Sequence, residues 1–167
     1  MKDNYVKLAG FKPSDIKYMI IPETGRSVEQ EMRSAATRMV GYIQEAIDAY
    51  YSSYSPVIYQ RTGSLKSSVL MSDIGDVTYS GSKARVTITP NTWVWHSSWP
   101  AFCRGYAFSG LHLHLSNAFR LIDEGWRVSN GSHASIYRFG YYEGFHFMNR
   151  AIGKFNSNNP LGIEVKY

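Results

Sequence analysis

The sequence predicts an α+β fold, in which a long N-terminal amphipathic helix packs on an antiparallel β-sheet of about four strands and is followed by a C-terminal helix and a terminal edge strand. Three observations support this prediction. Apolar residues recur at three- and four-residue steps after Ser27, alternate at two-residue steps after Val77, and return to a helical spacing near Tyr141. One packed core is expected, because 167 residues are the usual size of a single domain.

The long helix is predicted to begin after Ser27. Ser27 and Gln30 have the spacing of a capping box, in which each side chain accepts a hydrogen bond from the backbone N–H of the other residue. The helix extends for about six turns and ends in the polar segment 52–55. Met39 and Ile43 are expected to be buried against the sheet. The full apolar face comprises Val28, Met32, Ala35, Ala36, Met39, Ile43, Ala46, Ile47 and Tyr50.

The central part of the chain has the two-residue period of β-strands. Residues 77–79 and 84–88 alternate apolar and polar side chains on either side of Gly81-Ser82. This pattern predicts a β-hairpin with a two-residue turn and one buried face, which is formed by Ala84, Val86 and Ile88 in its second strand. Further strands at residues 69–71 and 93–95 would complete the antiparallel sheet.

A second helix is predicted over residues 141–156, followed by a polar stop signal at 156–160. Residues 163–167 then alternate apolar and charged side chains, which predicts a terminal edge strand whose charges discourage unwanted pairing. The residues expected to share one face of the helix are Tyr142, Phe145, Met148 and Ile152.

Residues 1–26 are interpreted as an extended N-terminal arm, separate from the single domain over 27–167. One strand is expected within the arm at residues 18–21, where an apolar run is closed by Pro22. The arm is too apolar for a free tail, so it is expected to contact a neighbouring subunit, with folding back onto its own sheet as the alternative. Its candidate interface residues are Tyr5, Phe11, Tyr18 and Ile20.

Composition excludes several classes of protein. Hydrophobic residues make up 44% of the chain, which argues against disorder. The net charge of +5 arises after residue 60 without forming a basic run, so sequence-specific DNA binding is not expected. Cys103 is the single cysteine, which rules out a disulfide within the chain and favours assembly in the cytosol. We expect no signal peptide and no membrane helix.

Catalytic and metal sites are also not predicted. Asp123 and Glu124 are adjacent carboxylates with His146 nearby in sequence, but neighbours in a strand point to opposite faces, so a solvated pair is expected. His112 and His114 have a two-ligand spacing without the further ligands that zinc needs. No protease signature flanks Cys103. The sequence therefore predicts no catalytic residue, cofactor or metal ligand.

The segment 93–110 is rich in aromatic residues outside any strong period. It is either a loop that covers the core or a contact surface, because tryptophan and tyrosine are enriched at interfaces. Both readings stay open. The candidate interface residues in this segment are Trp93, Trp95 and Trp99.

Three separated blocks carry a resemblance to a known family. They are residues 61–68 (RTGSLKSS), 119–126 (FRLIDEGW) and 147–151 (FMNRA). In this order, after one long helix, they resemble small tail-component and neck proteins of long-tailed bacteriophages, of the Hong Kong phage gene-ten type, which is related to minor tail and tail-completion proteins. The arm and the segment 93–110 are not shared with that family. The matching residues are Arg61, Thr62, Gly63, Leu65, Asp123 (in place of the family's Glu), Gly125, Phe147 and Ala151.

The resemblance implies a structural virion protein without enzymatic activity. Such a protein would assemble in the host cytoplasm and form a ring, hexameric or else dodecameric, between the connector and the tail tube or tail terminator, with non-specific contact with passing DNA. Asp123 and Gly125 would then be structural, and Gly125 would permit a turn or a close backbone approach. Two alternatives remain: a head-side connector or capsid-bound minor protein, and a virion-associated hydrolase that uses His146 with Asp123 or Glu124.

Overall fold

The computed structural model describes residues 13–53, 65–91, 118–127 and 141–167. Within these ranges it contains a long helix near the N-terminus, short antiparallel strands and a C-terminal helix, which confirms the predicted mixture of helix and sheet. Two 3-10 turns, Lys66–Ser68 and Met71–Asp73, follow the long helix. The elements in chain order are α1 (Pro13–Ile16), β1 (Ile20–Ile21), β2 (Arg26–Ser27), α2 (Val28–Ser52), β3 (Thr78–Ser80), β4 (Lys83–Arg85), α3 (Ala118–Glu124), β5 (Trp126–Arg127), β6 (Tyr141–Tyr142) and α4 (Phe147–Ser157).

Helix α2 begins and ends where the sequence predicts. The Gln30 N–H donates to Ser27 Oγ at 3.2 Å, and the Ser27 N–H donates to Gln30 Oε1 at 3.0 Å, so the capping box is complete. At the other end, the backbone N–H of Ser53 closes the last turn on Ala49 O at 3.0 Å. Local hydrogen bonds therefore fix both ends of this helix.

The strands form three separate two-stranded antiparallel sheets among the described residues. The pairs are β1 with β2, β3 with β4, and β5 with β6. The predicted hairpin is confirmed as β3 and β4, which place Tyr79 opposite Ala84 across the turn at Gly81-Ser82. A single sheet of about four strands is not confirmed by the residues that the structure describes, and its last predicted strand, at 93–95, lies outside them.

The prediction of a strand at residues 69–71 is wrong. The Asp73 carboxylate accepts a hydrogen bond from the Leu70 N–H at 2.7 Å, while the Asp73 N–H donates to Leu70 O at 3.0 Å. Gln44 on α2 donates to the carbonyl of Val69 at 2.7 Å. Because side chains take the backbone groups that a neighbouring strand would need, the segment forms turns.

The prediction of a terminal edge strand is also wrong, since residues 163–167 have no strand structure. The Asn159 side chain accepts from the Ile163 N–H at 2.9 Å and donates to the Ile163 carbonyl at 2.8 Å. One amide side chain thus satisfies both backbone groups of Ile163. Ile163 and Val165 still pack against the core.

The C-terminal helix begins later than predicted and has a different buried face. Residues 141–142 pair with β5, and α4 starts at Phe147. Of the residues expected to share one face, Met148 is buried, while Phe145 and Ile152 are partly buried. The residues of α4 that are buried are Phe147, Met148, Ala151 and Phe155.

The core lies chiefly between α2 and α4, not between α2 and a sheet. Met39 and Ile43 are buried as predicted, with 4% and 2% of their surface exposed. The hairpin face lies at the edge of this core, since Ala84, Val86 and Ile88 are all only partly buried. Among the described residues, α4 is therefore the main partner of α2, and the short sheets contact this helix less.

The described part of the arm, residues 13–26, is not extended. β1 pairs with β2, the Val28 N–H donates to Met19 O at 2.9 Å, and Lys17 lies 3.1 Å from Glu29 in a salt bridge. The expected strand is therefore present, and it folds against the start of α2 in the same chain. Contact of the arm with a neighbouring subunit stays a prediction.

Candidate functional site

Two of the blocks that carry the family resemblance meet where α3 ends and α4 begins. We call this region, residues 122–125 and 144–148, the α3–α4 junction. The Phe145 N–H donates to Ile122 O and the His146 N–H donates to Asp123 O, both at 2.9 Å. The last carbonyls of a helix have no partner within it, so these two bonds satisfy the end of α3.

Asp123 is the central side chain of the junction. Only 3% of its surface is exposed, and its Oδ1 accepts the Met148 N–H at 2.9 Å. The hydroxyl of Tyr167 lies near this carboxylate and interacts with its charge. His146, the residue at the N-cap of α4, provides no side-chain cap. Asp123 therefore caps α4 from a different helix, where a negative charge is favoured by the helix dipole.

Two glycines allow the two helices to approach. Gly125 has φ +88°, a left-handed conformation that side chains rarely adopt, which agrees with the turn that the resemblance implies for it. Gly144 has φ +95°, and a Cβ placed there would lie 2.4 Å from Asp123 O and 2.6 Å from Gly125 N. The backbone of Gly144 thus occupies space that no side chain could share.

The electrostatics of the junction couple Asp123 to the C-terminus of the chain. Burial raises the pKa of Asp123, while the Met148 N–H, the Tyr167 hydroxyl and the charge of His146 act in the opposite direction. Burial and the Asp123 charge together raise the pKa of Tyr167 to about 12. Because 63% of Tyr167 is exposed, we assign more of its shift to Asp123 than to burial.

The expectation of a solvated carboxylate pair is correct for Glu124 and wrong for Asp123. Both residues lie on α3 and not on a strand, so their side chains leave the helix in different directions. Glu124 is exposed and pairs with Arg120 Nε at 2.7 Å. His146 is exposed and contacts Asp123 through its backbone. The chemistry that this arrangement supports is helix capping.

A second feature, missed by the sequence interpretation, is a groove beside the first turns of α2. We call it the α2 groove; it has a volume of about 420 Å³ and contains Glu23 and Glu31. Glu31 lies four and eight residues before Ala35 and Met39, so its place on the apolar face could have been recognised. The apolar side chains that line the groove are Ile21, Val28, Met32, Pro160, Leu161 and Ile163.

Glu31 is buried in this groove, with 4% of its surface exposed. Arg38 Nη1 donates to its Oε1 at 3.3 Å, and Arg26 Nη1 lies 3.7 Å from its Oε2. Arg26 instead donates to Ser34 Oγ at 3.2 Å. Glu31 Oε2 consequently has no hydrogen-bond partner, although almost all buried carboxylate oxygens have one.

The remaining candidate residues divide between the core and the surface. Leu65, Phe147 and Ala151 from the family blocks are buried. Tyr18 and Ile20 from the arm are 71% and 61% exposed, which suits their predicted role as contact residues. The candidate residues that lie outside the described ranges are Tyr5, Phe11, Arg61, Thr62, Gly63, Trp93, Trp95, Trp99, Cys103, His112 and His114.

Comparison with known families, curated proteins and solved structures finds no match to this chain. In the part of the chain that the structure describes, no three His, Cys, Asp or Glu side chains lie together as metal ligands. None of the described helices is long and apolar enough to cross a membrane. The α3–α4 junction, the α2 groove and the three sequence blocks are therefore the features that bear on function.

Proposed function

We propose that the chain is a structural virion protein of a tailed bacteriophage, in which it forms a ring at the neck as a head–tail joining or tail-completion component. The proposal starts from the order of the three sequence blocks. Its main structural support is that the second and third blocks interlock through Asp123 and the N-terminus of α4. Residues that hold two helices together in this way maintain a fold and need no substrate.

The burial of the block residues supports the same proposal. Leu65 is 5% exposed, Phe147 is fully buried and Ala151 is 1% exposed, and all three belong to one core with α2. The rings of Phe119 and Phe147 meet edge to face at 4.8 Å between their centroids. A residue that processes a substrate must reach that substrate, whereas these side chains are enclosed by their own chain.

Formation of a ring requires two different surfaces on each copy, because head-to-tail contacts close only when one patch meets another. The exposed Tyr18 and Ile20 and the α2 groove provide apolar surface of this kind. A hexamer is favoured and a dodecamer is the second choice. Its partners would be the adjacent connector and the tail-tube or tail-terminator protein.

The test is to locate the chain in purified particles. Heads and tails are separated and analysed by quantitative mass spectrometry, and intact particles are imaged by cryo-electron microscopy with the symmetry of the neck imposed only after classification. We expect a ring of this chain at the neck. Its restriction to heads would favour the head-side connector, and its absence from particles would refute the proposal.

The hydrolase alternative has its own experiment. Purified chain is incubated with bacterial cell wall, and release of soluble fragments is measured for the wild type and for His146→Ala. We expect no release from either protein. Release by the wild type that His146→Ala abolishes would replace the structural proposal with the enzymatic one.

A further inference from the structure

The α2 groove combines apolar walls with negative charge. Five of its six apolar side chains are partly buried, and the sixth, Pro160, is exposed. Glu23 is exposed at the groove, and Glu31 is buried in its wall. An occupant that matches these walls would carry apolar side chains beside at least one positive charge.

Glu31 adds a specific requirement to this general one. Its Oε1 is held by Arg38, but its Oε2 has no hydrogen-bond partner, and the side chain is only 5% exposed. Both arginines also donate to Ser34 Oγ, at 3.2 Å from Arg26 and 3.1 Å from Arg38. The groove wall therefore contains a buried carboxylate oxygen that lies 3.7 Å from Arg26 Nη1 and accepts no hydrogen bond.

We propose that the α2 groove binds residues 1–12 of a second copy of the chain. This segment has the required composition, because it contains three lysines and one aspartate among its twelve residues. A lysine of the segment would pair with Glu23 or Glu31. The apolar residues available for the walls are Tyr5, Val6, Leu8 and Phe11.

A second copy accounts for exposed surface that a bound segment of the same chain would leave uncovered. Ile20 is 61% exposed and directly precedes Ile21, which lines the groove, and Tyr18 is 71% exposed. The body of a docked copy can bury side chains of this size next to the groove. Twelve residues span at most about 40 Å, which is enough to reach from α1 to a neighbouring molecule.

The contact joins two different surfaces, the segment of one copy and the groove of the next. Such a contact can repeat from copy to copy, so it specifies the interface of the proposed ring. Only the closure of the ring rests on the proposed function. The pairwise contact can be tested in the isolated full-length chain.

The experiment is zero-length cross-linking of an equal mixture of ¹⁵N-labelled and unlabelled full-length chain. A carbodiimide condenses a lysine amine with a nearby carboxylate, with loss of water, and mass spectrometry identifies the joined peptides. We expect peptides that join Lys2, Lys7 or Lys12 to Glu23 or Glu31 and that contain both isotopes. Cross-links with a single isotope only would show binding within one chain and overturn the proposal, as would the absence of these peptides.

Two variants make the result specific to the groove. Met32→Arg places a positive charge among the groove walls and is expected to lower the yield of mixed peptides by about tenfold, a change typical of a misplaced interface charge. Glu45→Gln removes a charge from the exposed face of the same helix and should leave the yield unchanged. Thermal unfolding by circular dichroism verifies that both variants are folded. An equal yield from Met32→Arg and the wild type would overturn the proposal.

This outcome is separate from the location of the chain in the virion. If particles contain the chain at the neck while Met32→Arg cross-links normally, the groove contact fails and the proposed function stands. If the cross-links depend on the groove but particles lack the chain, the proposed function fails and the contact between copies stands.

Discussion

Asp123 and Glu31 are both buried carboxylates near the first turn of a helix, but they differ in the source of their hydrogen bonds. Asp123 accepts from the Met148 N–H and interacts with the Tyr167 hydroxyl, so both α4 and the end of the sequence contact it. Glu31 is held by the ends of Arg26 and Arg38, which are 57% and 32% exposed, and one of its oxygens has no hydrogen bond.

This difference separates a carboxylate that maintains the fold from one that can receive a partner. Backbone donors such as the Met148 N–H cannot move away, so loss of Asp123 leaves them buried without a bond. Arg26 is exposed and can turn to water if Glu31 is changed, whereas Arg38 is partly buried and keeps its contact with Ser34. At the α3–α4 junction the chain therefore satisfies its own buried hydrogen-bonding groups. At the α2 groove one oxygen of Glu31 still lacks a hydrogen bond.

The largest effect is expected from Gly144→Ala at the α3–α4 junction. The new Cβ would lie 2.4 Å from Asp123 O with φ at +95°, so the ends of α3 and α4 must separate. We expect a loss of about 4 kcal/mol in the free energy of unfolding, measured by urea titration. Gly153→Ala in α4 is the matched control: its Cβ meets nothing within 4 Å, and it should stabilise the protein by about 0.5–1 kcal/mol.

A slightly smaller effect is expected in the core that connects the two regions. Ile43 is 2% exposed, and Ile43→Ala should cost about 3 kcal/mol through lost burial and the cavity left behind. Glu45→Ala breaks only an exposed ion pair with Lys154 and should change stability by less than about 1 kcal/mol. Equal denaturant midpoints for the two variants would show that a different face of α2 is buried.

The elements that could be predicted from the sequence are those fixed by local interactions. The capping box at Ser27 and Gln30 and the turn at Gly81-Ser82 join residues at most three positions apart. Such contacts need no knowledge of the rest of the fold. The bounds of α2 and the position of the hairpin were therefore predictable.

The parts that failed depend on contacts distant in sequence or on side chains that replace a backbone partner. Asp123 accepts a hydrogen bond from the N–H of Met148, which lies 25 positions later in the sequence. No periodic pattern of apolar residues indicates such a contact. Asn159 and Asp73 occupy backbone groups that an alternating pattern assigns to strands. The burial of Glu31 was not predicted either, because a glutamate is rarely buried even at a position on an apolar face.

The third prediction compares Asp123 with its neighbour. Asp123→Ala leaves the buried Met148 N–H without an acceptor and should lower the free energy of unfolding by about 2 kcal/mol. Glu124→Ala removes an exposed pair with Arg120 and should cost no more than about 0.5 kcal/mol. Urea titration of both variants measures the two costs. Equal costs would mean that Asp123 does not cap α4.

The fourth prediction concerns the other carboxylate. Glu31→Gln keeps the size of the side chain and an acceptor oxygen for the partly buried Arg38, and the exposed Arg26 can be solvated, so its cost should be about 1 kcal/mol. Chemical unfolding of Glu31→Gln beside Asp123→Ala provides the measurement. A loss for Glu31→Gln as large as that for Asp123→Ala would remove the distinction drawn between the two regions.

The smallest effect is a dependence on pH that distinguishes the charge of Asp123 from its role as an acceptor. Burial raises the pKa of Asp123 in the folded chain above its ordinary value of 3.8, so the folded state holds this proton more tightly than the unfolded state. The contribution of the proton to stability is fully present below the unfolded pKa and is lost as pH rises through the folded pKa. Asp123→Asn retains an acceptor for the Met148 N–H and does not titrate. Its stability relative to the wild type should therefore increase as pH rises from just below 4 towards neutrality, as measured by urea titration at each pH, with Glu124→Gln as the control for a change in charge next to the site. A relative stability of Asp123→Asn that falls over this range would show that His146, Tyr167 and the Met148 N–H together outweigh burial and hold the carboxylate in its charged form.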